Sequence, residues 1–392
     1  MLIAVCFDSF SPYHVARLAA AARRMNVVGI EVSATTPDYA WDPVESGEAF
    51  RRIVLVPEGN ALVIPASELR RRIWRVLDDL GPGVVAVHGW SGRSAVLVLA
   101  WAVARQVPVV MMSDSTAKDF RRFAAKEWIK GRLVRLAHTG LVGGAMHAAY
   151  IMELGMSETC VFKGYDVVDN AYFTRMAGLR RSAERPGRLP SHNYFLASSR
   201  FLRMKNLRRL LEAFAAYSRV AGPRGWELVL LGDGELRPEL EEQRIRLRLQ
   251  SIVHMPGFIQ YGELPDYYAW AGAFVHASTK DTWGLVVNEA MASGLPVLVS
   301  ERCGCAPDLV ENGYNGFTFD PYDVDTLANL MLKISSDDFD RPAMGLASQR
   351  IISRWTPDTF AESLAQAADV ALTSPPRHAD WTDKALLRAL SC

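Results

Sequence analysis

Apolar runs of strand length alternate along the chain with stretches whose apolar positions recur at helical spacing. The runs lie at 2–7, 27–32, 84–87, 107–112 and 139–142 in the first half, and at 194–197, 226–231, 252–255, 273–277 and 297–299 in the second. Helical spacing occurs between them, for example at 15–24, 65–80 and 207–220. Strand, helix and strand in succession are typical of parallel sheets, whose strands are buried on both faces. The pattern predicts an α/β protein with two doubly wound halves.

The polar segment 178–192, rich in Arg, Pro, Gly and Ser, separates the two halves. A chain of 392 residues is also too long for one hydrophobic core. We therefore expect an N-terminal domain over 1–180, a linker over 181–193 and a C-terminal domain over 194–365, followed by a tail over 366–392.

Composition narrows the class of protein. Hydrophobic residues at 49% and charged residues at 22% are typical of a soluble globular protein, and a net charge of +1 gives no support for nucleic-acid binding. The five cysteines are odd in number and scattered, which favours a reducing compartment, and Cys303-Gly-Cys305 lacks the second ligand pair of a zinc site. No apolar run is long enough to span a bilayer. We expect a cytoplasmic protein, which is compatible with peripheral contact with the cytoplasmic face of a membrane.

The segment 278–300 combines two carboxylates with a predicted helix and strand. Asp281 and Glu289 are eight positions apart, and we predict that Glu289 opens a short helix that ends at Gly294 and leads into a buried strand. Carboxylates there can accept hydrogen bonds from sugar hydroxyls, and backbone N–H groups at a helix start suit phosphate. A nucleotide-sugar offers both groups. For an isolated pair at this spacing, an ordinary loop acid and a favourable first-turn acid are the alternative.

This segment, with its run WGLVVNEAMASGLPV, resembles the E-x7-E region of retaining GT-B glycosyltransferases of family 4, except that Asp281 replaces the first Glu. The similarity extends over nearly the whole chain and is strongest over 194–319. It implies the GT-B fold, in which two Rossmann-like, doubly wound parallel-sheet domains face a central cleft. It also implies that the tail crosses back to the N-terminal domain.

In the second half, the resemblance assigns residues to the donor. Arg200 and Lys205, on a predicted strand-to-helix loop, are similar to the family's diphosphate clamp, although basic loop residues are usually just solvated. Asp281 would hold sugar hydroxyls and Glu289 the ribose diol. The remaining expected donor-binding residues are Gly232, Gly234, Ile259, Trp283, Gly284 and Leu285.

In the first half, polar residues follow predicted strands at the sheet edge where doubly wound proteins bind ligands. His88 follows one strand, and the resemblance implies that it lies near the transferred sugar; a structural hydrogen-bonding histidine is the alternative. Tyr13, His14 and Asp114 are expected on the acceptor side. Their alternatives are an ordinary capped turn for the first two and helix capping for Asp114.

Residues 118–135 carry seven basic side chains and two acids, a local excess of +5, interleaved with aromatic and aliphatic residues. This pattern is typical of an interfacial helix and predicts peripheral contact with an anionic membrane. A solvated helix with its apolar side in the core is the alternative.

The resemblance implies a retaining hexosyltransferase that uses a UDP- or GDP-sugar. No Asp-x-Asp pair stands at the matching strand ends, so we predict that the enzyme is metal-independent and needs no other cofactor. Its acceptor would be a glycan, a lipid-linked sugar or a small molecule, in surface polysaccharide or glycoconjugate synthesis. Two alternatives remain. One is a nucleotide-sugar 2-epimerase, which shares the architecture but lacks the acidic spacing, and the other is a catalytically silent nucleotide-sugar or glycan-binding protein.

Overall fold

The computed structural model describes residues 1–34, 42, 49–57, 63–119 and 121–391. Its first elements are β1 (Leu2–Phe7), α1 (Pro12–Ala22), β2 (Asn26–Ser33), β3 (Arg51–Val56), α2 (Ala66–Leu80), β4 (Val84–His88), α3 (Arg93–Arg105), β5 (Val109–Ser113), α4 (Ala124–Val134), β6 (Thr139–Val142), α5 (Ala145–Glu153) and β7 (Val161–Lys163).

The remaining elements are α6 (Asn170–Arg181), β8 (Tyr194–Ser198), α7 (Leu207–Ala221), β9 (Glu227–Leu231), α8 (Arg237–Arg246), β10 (Val253–Gly257), α9 (Leu264–Trp270), β11 (Ala273–His276), α10 (Leu285–Ala292), β12 (Val297–Ser300), α11 (Ala306–Leu309), β13 (Gly316–Phe319), α12 (Val324–Ser335), α13 (Arg341–Ile352), α14 (Pro357–Thr373) and α15 (Trp381–Leu390).

The described residues form two parallel sheets, one in each of two compact units. The first sheet has the order β3-β2-β1-β4-β5-β6-β7, and the second has the order β10-β9-β8-β11-β12-β13. Their central strands are buried apolar runs, as strands covered on both faces require. The predicted α/β architecture with two doubly wound parallel sheets is confirmed.

Each sheet has a point where the order of its strands reverses. In the first it lies between β1 and β4, with Ile3 paired to Val84, and in the second between β8 and β11, with Ala273 paired to Phe195. The loops that follow two such strands diverge to opposite sides of the sheet and leave a crevice, which is where doubly wound proteins bind ligands.

The compact units divide the chain at other positions than the expected domain bounds. Unit 1 comprises 1–167 and 355–392, and unit 2 comprises 168–354. Helix α6 belongs to unit 2 because Phe173 is fully buried against Tyr268 and Thr174 Oγ1 donates to Ala292 O at 2.8 Å. The expected linker also lies inside this unit, where Arg181 Nε donates to Ala269 O at 2.9 Å.

The chain returns to unit 1 after residue 354, so that α14 packs on α1, β6 and β7, and α15 packs on α3 and α4. Buried alanines and Phe360 line the inner face of α14, and Thr139 Oγ1 donates to Ala367 O at 3.1 Å. Arg132 Nε donates to Asp383 Oδ1 at 2.7 Å and ties α15 to α4.

Two predicted helix starts were wrong. Helix α10 begins at Leu285, directly after Gly284 with φ of 105°, so Glu289 lies inside the helix and does not open it. The basic segment 118–135 is helical only from Ala124, because Asp119 accepts hydrogen bonds from the backbone and side chain of Thr116 and holds a turn there. Phe120 of that segment lies outside the described residues.

Candidate functional site

The loops that follow β8 and β11, at the reversal point of the second sheet, are joined by an ion pair. Lys205 Nζ donates to Asp281 Oδ2 at 2.5 Å, and both side chains are largely buried. The same carboxylate oxygen lies 2.7 Å from Nε2 of His276, the last residue of β11. Two of the residues predicted for the site are therefore in direct contact, and a third side chain fixes the orientation of the acid.

The charge of Asp281 is stabilised by these partners. Burial raises the pKa of this carboxyl group, but the charge of Lys205 and the hydrogen bond from His276 outweigh burial and hold the pKa well below its usual range. Asp281 is therefore an acceptor of hydrogen bonds at neutral pH. Gly284 leaves room for the histidine, since a Cβ there would lie 3.3 Å from His276 Nε2.

The loop that carries Arg200 is held by the turn that follows β9. Phe201 N donates to Asp233 O at 2.8 Å, and Leu236 N donates to Phe201 O at 3.1 Å. This close approach requires glycine, because a Cβ at Gly232 would lie 1.9 Å from Ser199 O, and one at Gly234 would lie 2.9 Å from Phe201 N. The two predicted glycines thus position the half-buried Arg200.

We expect Gly232→Ala to lower the free energy of unfolding by at least roughly 1–3 kcal/mol, because Gly232 combines this clash with φ of +119°. Urea denaturation measures the change. Gly262→Ala is a matched control in the same unit, since no described residue other than its chain neighbours has an atom within 4 Å of a Cβ built there. It should change stability by less than about 0.5 kcal/mol. Equal stability of the two variants would contradict this account of the turn.

Glu289 is fully buried inside α10, where its Oε2 accepts a hydrogen bond from the hydroxyl of Tyr268 at 2.6 Å. Burial raises the pKa of Tyr268 well above its usual value, and the charge of Glu289 raises it further. A ribose hydroxyl can reach Glu289 only if the residues that cover it move. Trp283 is also buried and donates to Asn288 Oδ1 at 2.9 Å, so its ring supports the helix start and is not presented to solvent.

The other two expected donor-binding residues lie at a helix start and on a strand-end loop. Leu285 is the first residue of α10 and is partly buried. Ile259 follows β10 and is partly buried. The end of β10 is bonded to the glycine turn, because Gly232 N donates to Gly257 O at 2.8 Å.

A cavity of about 260 Å³ lies at the reversal point of the first sheet, entirely within unit 1. The carboxyl ends of β1, β4 and β5, the loops that follow them, His14 of α1 and Tyr165 line it. The residues of the strand ends and loops are Phe7, Asp8, Ser9, His88, Gly89, Trp90, Ser91, Met112, Ser113, Asp114 and Ser115. Three predicted residues, His14, His88 and Asp114, are therefore brought to one place. Of the described residues of α1, His14 lines the cavity and Tyr13 does not.

His88 is held by protein groups on both sides of its ring. Its Nδ1 lies 2.9 Å from Cys6 O, and its Nε2 lies 3.0 Å from Asp8 Oδ1 and 3.2 Å from Ser94 Oγ. Ser94 Oγ also donates to Asp8 Oδ1. Desolvation by the neighbouring protein atoms raises the pKa of the partly exposed Asp8, but the hydrogen bond and charge of His88 and the bond from Ser94 lower it to about 2.

His14 and Asp114 occupy different settings in the cavity wall. His14 is the third residue of α1, and its Nδ1 accepts from Ser11 N at 3.0 Å. Burial, with the charges of Arg17 and His88, holds the pKa of His14 well below its usual range, so the ring is neutral. Asp114 does not cap α4, whose N-cap is Phe123, so that interpretation was wrong.

The sequence interpretation overlooked Asp8, Ser94, His276 and Tyr268. Asp8 and His276 stand at the carboxyl ends of β1 and β11, so the strand-end rule that selected His88 applies equally to them. In the part of the chain that the structure describes, no three His, Cys, Asp or Glu side chains cluster as a metal site, and no helix is long and apolar enough to cross a membrane.

Comparisons with known proteins identify the family. The model of the family described as glycosyl transferases group 1 matches residues 181–350. The alpha-monoglucosyldiacylglycerol synthase of Acholeplasma laidlawii is 32% identical over 326 residues, which cover 75% of this chain and 78% of that protein. The chain belongs to the group 1 glycosyl transferases.

Two further matches cover different shares of this chain. The sulfoquinovosyl transferase SQD2 of Arabidopsis thaliana is 35% identical over 125 residues, 31% of this chain and 24% of that protein, so the chain matches about a quarter of this relative. The crystal structure of Anabaena Alr3699/HepE in complex with UDP and glucose has a TM-score of 0.70 at 20% identity, covering 93% of this chain and 98% of that one. This likeness shows the fold, and the predicted resemblance to GT-B glycosyltransferases is confirmed.

Proposed function

We propose that the chain transfers a hexose from a UDP- or GDP-sugar to a hydroxyl group of a glycan, lipid-linked or small-molecule acceptor, with retention of anomeric configuration. The observation that carries the proposal is the cluster of Lys205, Asp281 and His276 at the reversal point of the second sheet in a member of this family. The proposed setting is surface polysaccharide or glycoconjugate synthesis at the cytoplasmic face of a membrane.

Each residue of the donor site has a proposed task. Cleavage of the anomeric C–O bond leaves negative charge on the diphosphate, which Arg200 and Lys205 would stabilise electrostatically. The ammonium of Lys205 has three N–H donors, so it can bind phosphate and still keep its bond to Asp281. The second oxygen of Asp281 would accept from sugar hydroxyls, and Glu289 would hold the ribose diol after the rearrangement that its burial requires.

A panel of UDP-, GDP- and ADP-sugars, screened by ligand-induced shifts in melting temperature, tests this function. Binding to the folded state alone stabilises it by about 2.7 kcal/mol at a ligand concentration of 100 times Kd. We expect one nucleotide to stabilise the protein both as the free diphosphate and as the sugar conjugate, with both shifts reduced in Lys205→Ala. The absence of a shift with every nucleotide-sugar would contradict the proposal.

The proposed enzyme needs no metal, because the two basic side chains would supply the positive charge at the diphosphate. Excess EDTA should therefore leave the rate of transfer unchanged. Loss of activity with EDTA and its recovery with manganese would refute this part of the proposal.

Peripheral membrane contact is proposed for the region around α4. Phe123 and Trp128 are 50% and 52% exposed, with Arg121 and Lys126 within 5.7 Å of the Phe123 ring and Arg132 5.8 Å from that of Trp128. Exposed aromatic rings beside cations suit the interface of an anionic bilayer. However, the basic excess is smaller in the structure, because three of the seven cations are paired with acids of unit 1: Arg122, Lys130 and Arg132.

We expect the protein to co-sediment with phosphatidylglycerol vesicles at low salt, and the double variant Phe123→Ser, Trp128→Ser to lose most of this binding. The loss follows from the apolar area that the two rings would bury in the interface. Val220→Ser is the control, since Val220 is 71% exposed on unit 2. Wild-type protein that stays in the supernatant at low salt would rule out this contact.

A further inference from the structure

We infer that the cavity at the carboxyl ends of β1, β4 and β5 is a subsite for an uncharged, polyhydroxylated ring, and that Asp8, held by His88, is the side chain that binds its hydroxyls. The inference rests on the proposed function and specifies the chemistry of one of its substrates. In this inference His88 is a positioning residue that orients Asp8 and does not itself contact the ligand.

Both nitrogens of the His88 ring are hydrogen-bonded to groups of the protein. Cys6 O is a carbonyl oxygen and can only accept, so Nδ1 at 2.9 Å donates to it. Nε2 faces the Oδ1 of Asp8 at 3.0 Å, and a carboxylate also accepts. The histidine side chain is only 12% exposed. Both nitrogens therefore hold parts of the loop structure in place, and neither points an unused donor or acceptor at a ligand.

Asp8 is the exposed end of this network. Its Oδ1 accepts hydrogen bonds from His88 Nε2 and Ser94 Oγ, and these bonds fix the orientation of the carboxylate. The side chain of Asp8 is nevertheless 62% exposed. The pKa of about 2 keeps it charged at neutral pH. A fixed carboxylate with an exposed oxygen is an efficient acceptor for the hydroxyl groups of a sugar, because charge-assisted hydrogen bonds are the strong ones.

The cavity wall favours an uncharged ligand. Its described lining contains two carboxylates, Asp8 and Asp114, with four serines and no Lys or Arg. The guanidinium of Arg17 lies behind Tyr165, 4.9 Å from the centroid of its ring, and faces Asp166 at 3.6 Å. A phosphorylated ring would therefore meet two carboxylates, while the positive charge of His88 is already paired with Asp8.

The size and the apolar parts of the wall fit one ring. The volume of about 260 Å³ is below the roughly 300–1,000 Å³ of pockets for larger ligands. Trp90 and Tyr165 add largely buried aromatic surfaces that can cover the C–H face of a pyranose or cyclitol. Carboxylates, hydroxyls and aromatic rings together match a polyol better than a lipid chain or an anion.

Such a ring has two possible sources, the acceptor or the transferred hexose of the donor. Titration calorimetry on the full chain distinguishes them in two arms. In the first, methyl α-D-glucopyranoside and myo-inositol are compared with glucose 6-phosphate and inositol 1-phosphate. In the second, the affinity for UDP-glucose is compared with that for UDP, and that for GDP-mannose with that for GDP.

We expect Asp8→Asn to weaken binding by at least about tenfold in one of the arms, since a hydrogen bond to a charged group is worth about 1.5–3 kcal/mol. If the ring belongs to the acceptor, a neutral polyol binds wild-type protein and its phosphate does not. If it belongs to the donor, the advantage of the nucleotide-sugar over its nucleotide shrinks while nucleotide affinity stays unchanged. Asp79→Asn, a control on the exposed face of α2, should leave both arms unchanged.

The positioning of Asp8 by His88 has its own readout. His88→Gln retains an amide donor toward Asp8 and should keep more affinity than His88→Ala. The inference is overturned if phosphorylated rings bind as well as neutral ones, if neither arm shows binding of the ring, or if Asp8→Asn leaves both arms unchanged. Loss of ring binding in His88→Ala but not in Asp8→Asn would make His88 the contact residue instead. Binding of UDP or GDP alone reports on the proposed function separately from the subsite.

Discussion

Lys205→Ala should lower the rate of sugar transfer by on the order of 10²-fold or more, because a preorganised charge at the leaving diphosphate is lost. Lys205 lies on the predicted diphosphate loop and also pairs with Asp281, its Nζ being 2.5 Å from Asp281 Oδ2. The substitution leaves the backbone of that loop untouched, since its bonds to the glycine turn are made by main-chain groups. Steady-state rates at saturating donor measure the effect.

Stability must be measured alongside the rate, because the variant removes one of the two described side chains that bond the Asp281 carboxylate, the other being His276. Removal of one member of a largely buried pair can cost several kcal/mol, so urea denaturation should show a weaker but cooperative unfolding transition. Lys333→Ala removes an exposed lysine of the same unit and is the control. A folded Lys205→Ala variant with wild-type transfer would remove Lys205 from the proposed mechanism.

Glu289→Ala should likewise lower transfer by on the order of 10²-fold, because the acid proposed for the ribose diol is lost. Glu289 also accepts a hydrogen bond from the buried hydroxyl of Tyr268 at 2.6 Å, so a second variant is needed to measure the effect of losing that bond alone. Tyr268→Phe removes that hydroxyl and keeps the ring, so it should lower stability by about 1.5–3 kcal/mol and leave the transfer rate within a few-fold of wild type.

The two variants distinguish a direct contact between Glu289 and the ribose from a structural role of Glu289 in the packing of α9 against α10. If Tyr268→Phe lowers the rate as much as Glu289→Ala does, Glu289 acts through the packing of α9 against α10 and not on the ribose. If a folded Glu289→Ala variant transfers sugar at the wild-type rate, the assignment of Glu289 fails altogether. Nucleotide affinity measured on both variants shows at which step the effect arises.

Much of the fold was predictable from the sequence, because parallel strands that are covered on both faces have continuous apolar sequences. The unit boundary was not. Residues 178–192 have the composition of a linker, yet Arg181 donates hydrogen bonds to backbone carbonyl groups of unit 2. Helix α6 packs against α9 and α10, which lie far from it in the sequence. Composition identifies polar surface, but it does not identify which carbonyl groups that surface will bind.

The candidate site was predictable in part for a similar reason. Lys205 and Asp281 are 76 positions apart, and a strand-end rule together with the family resemblance placed them at one edge of the sheet, where the structure joins them. His276 was overlooked because it ends an apolar run and reads as part of a buried strand. Asp8 was overlooked because a single acid directly after β1 does not differ in pattern from an ordinary loop residue.

The start of α10 shows the remaining limit. The small residues after Glu289 suggested a helix that begins there, whereas Gly284 adopts a positive φ and lets the helix start at Leu285. The shift of one turn moves Glu289 from the exposed first turn into the buried interior. A backbone conformation open mainly to glycine therefore decided the environment of a predicted ligand-binding acid, and spacing alone does not specify it.

The anomeric configuration of the product tests the central claim most directly. Proton NMR of a reaction with the UDP- or GDP-hexose that stabilises the protein, in the presence of an accepted polyol, reports the coupling constant of the new glycosidic linkage. We predict that a donor with an α linkage gives an α-linked product and free nucleoside diphosphate. An inverted β product would contradict retention, and a 2-epimer formed from donor alone, or bound donor without any nucleotide release, would contradict sugar transfer itself.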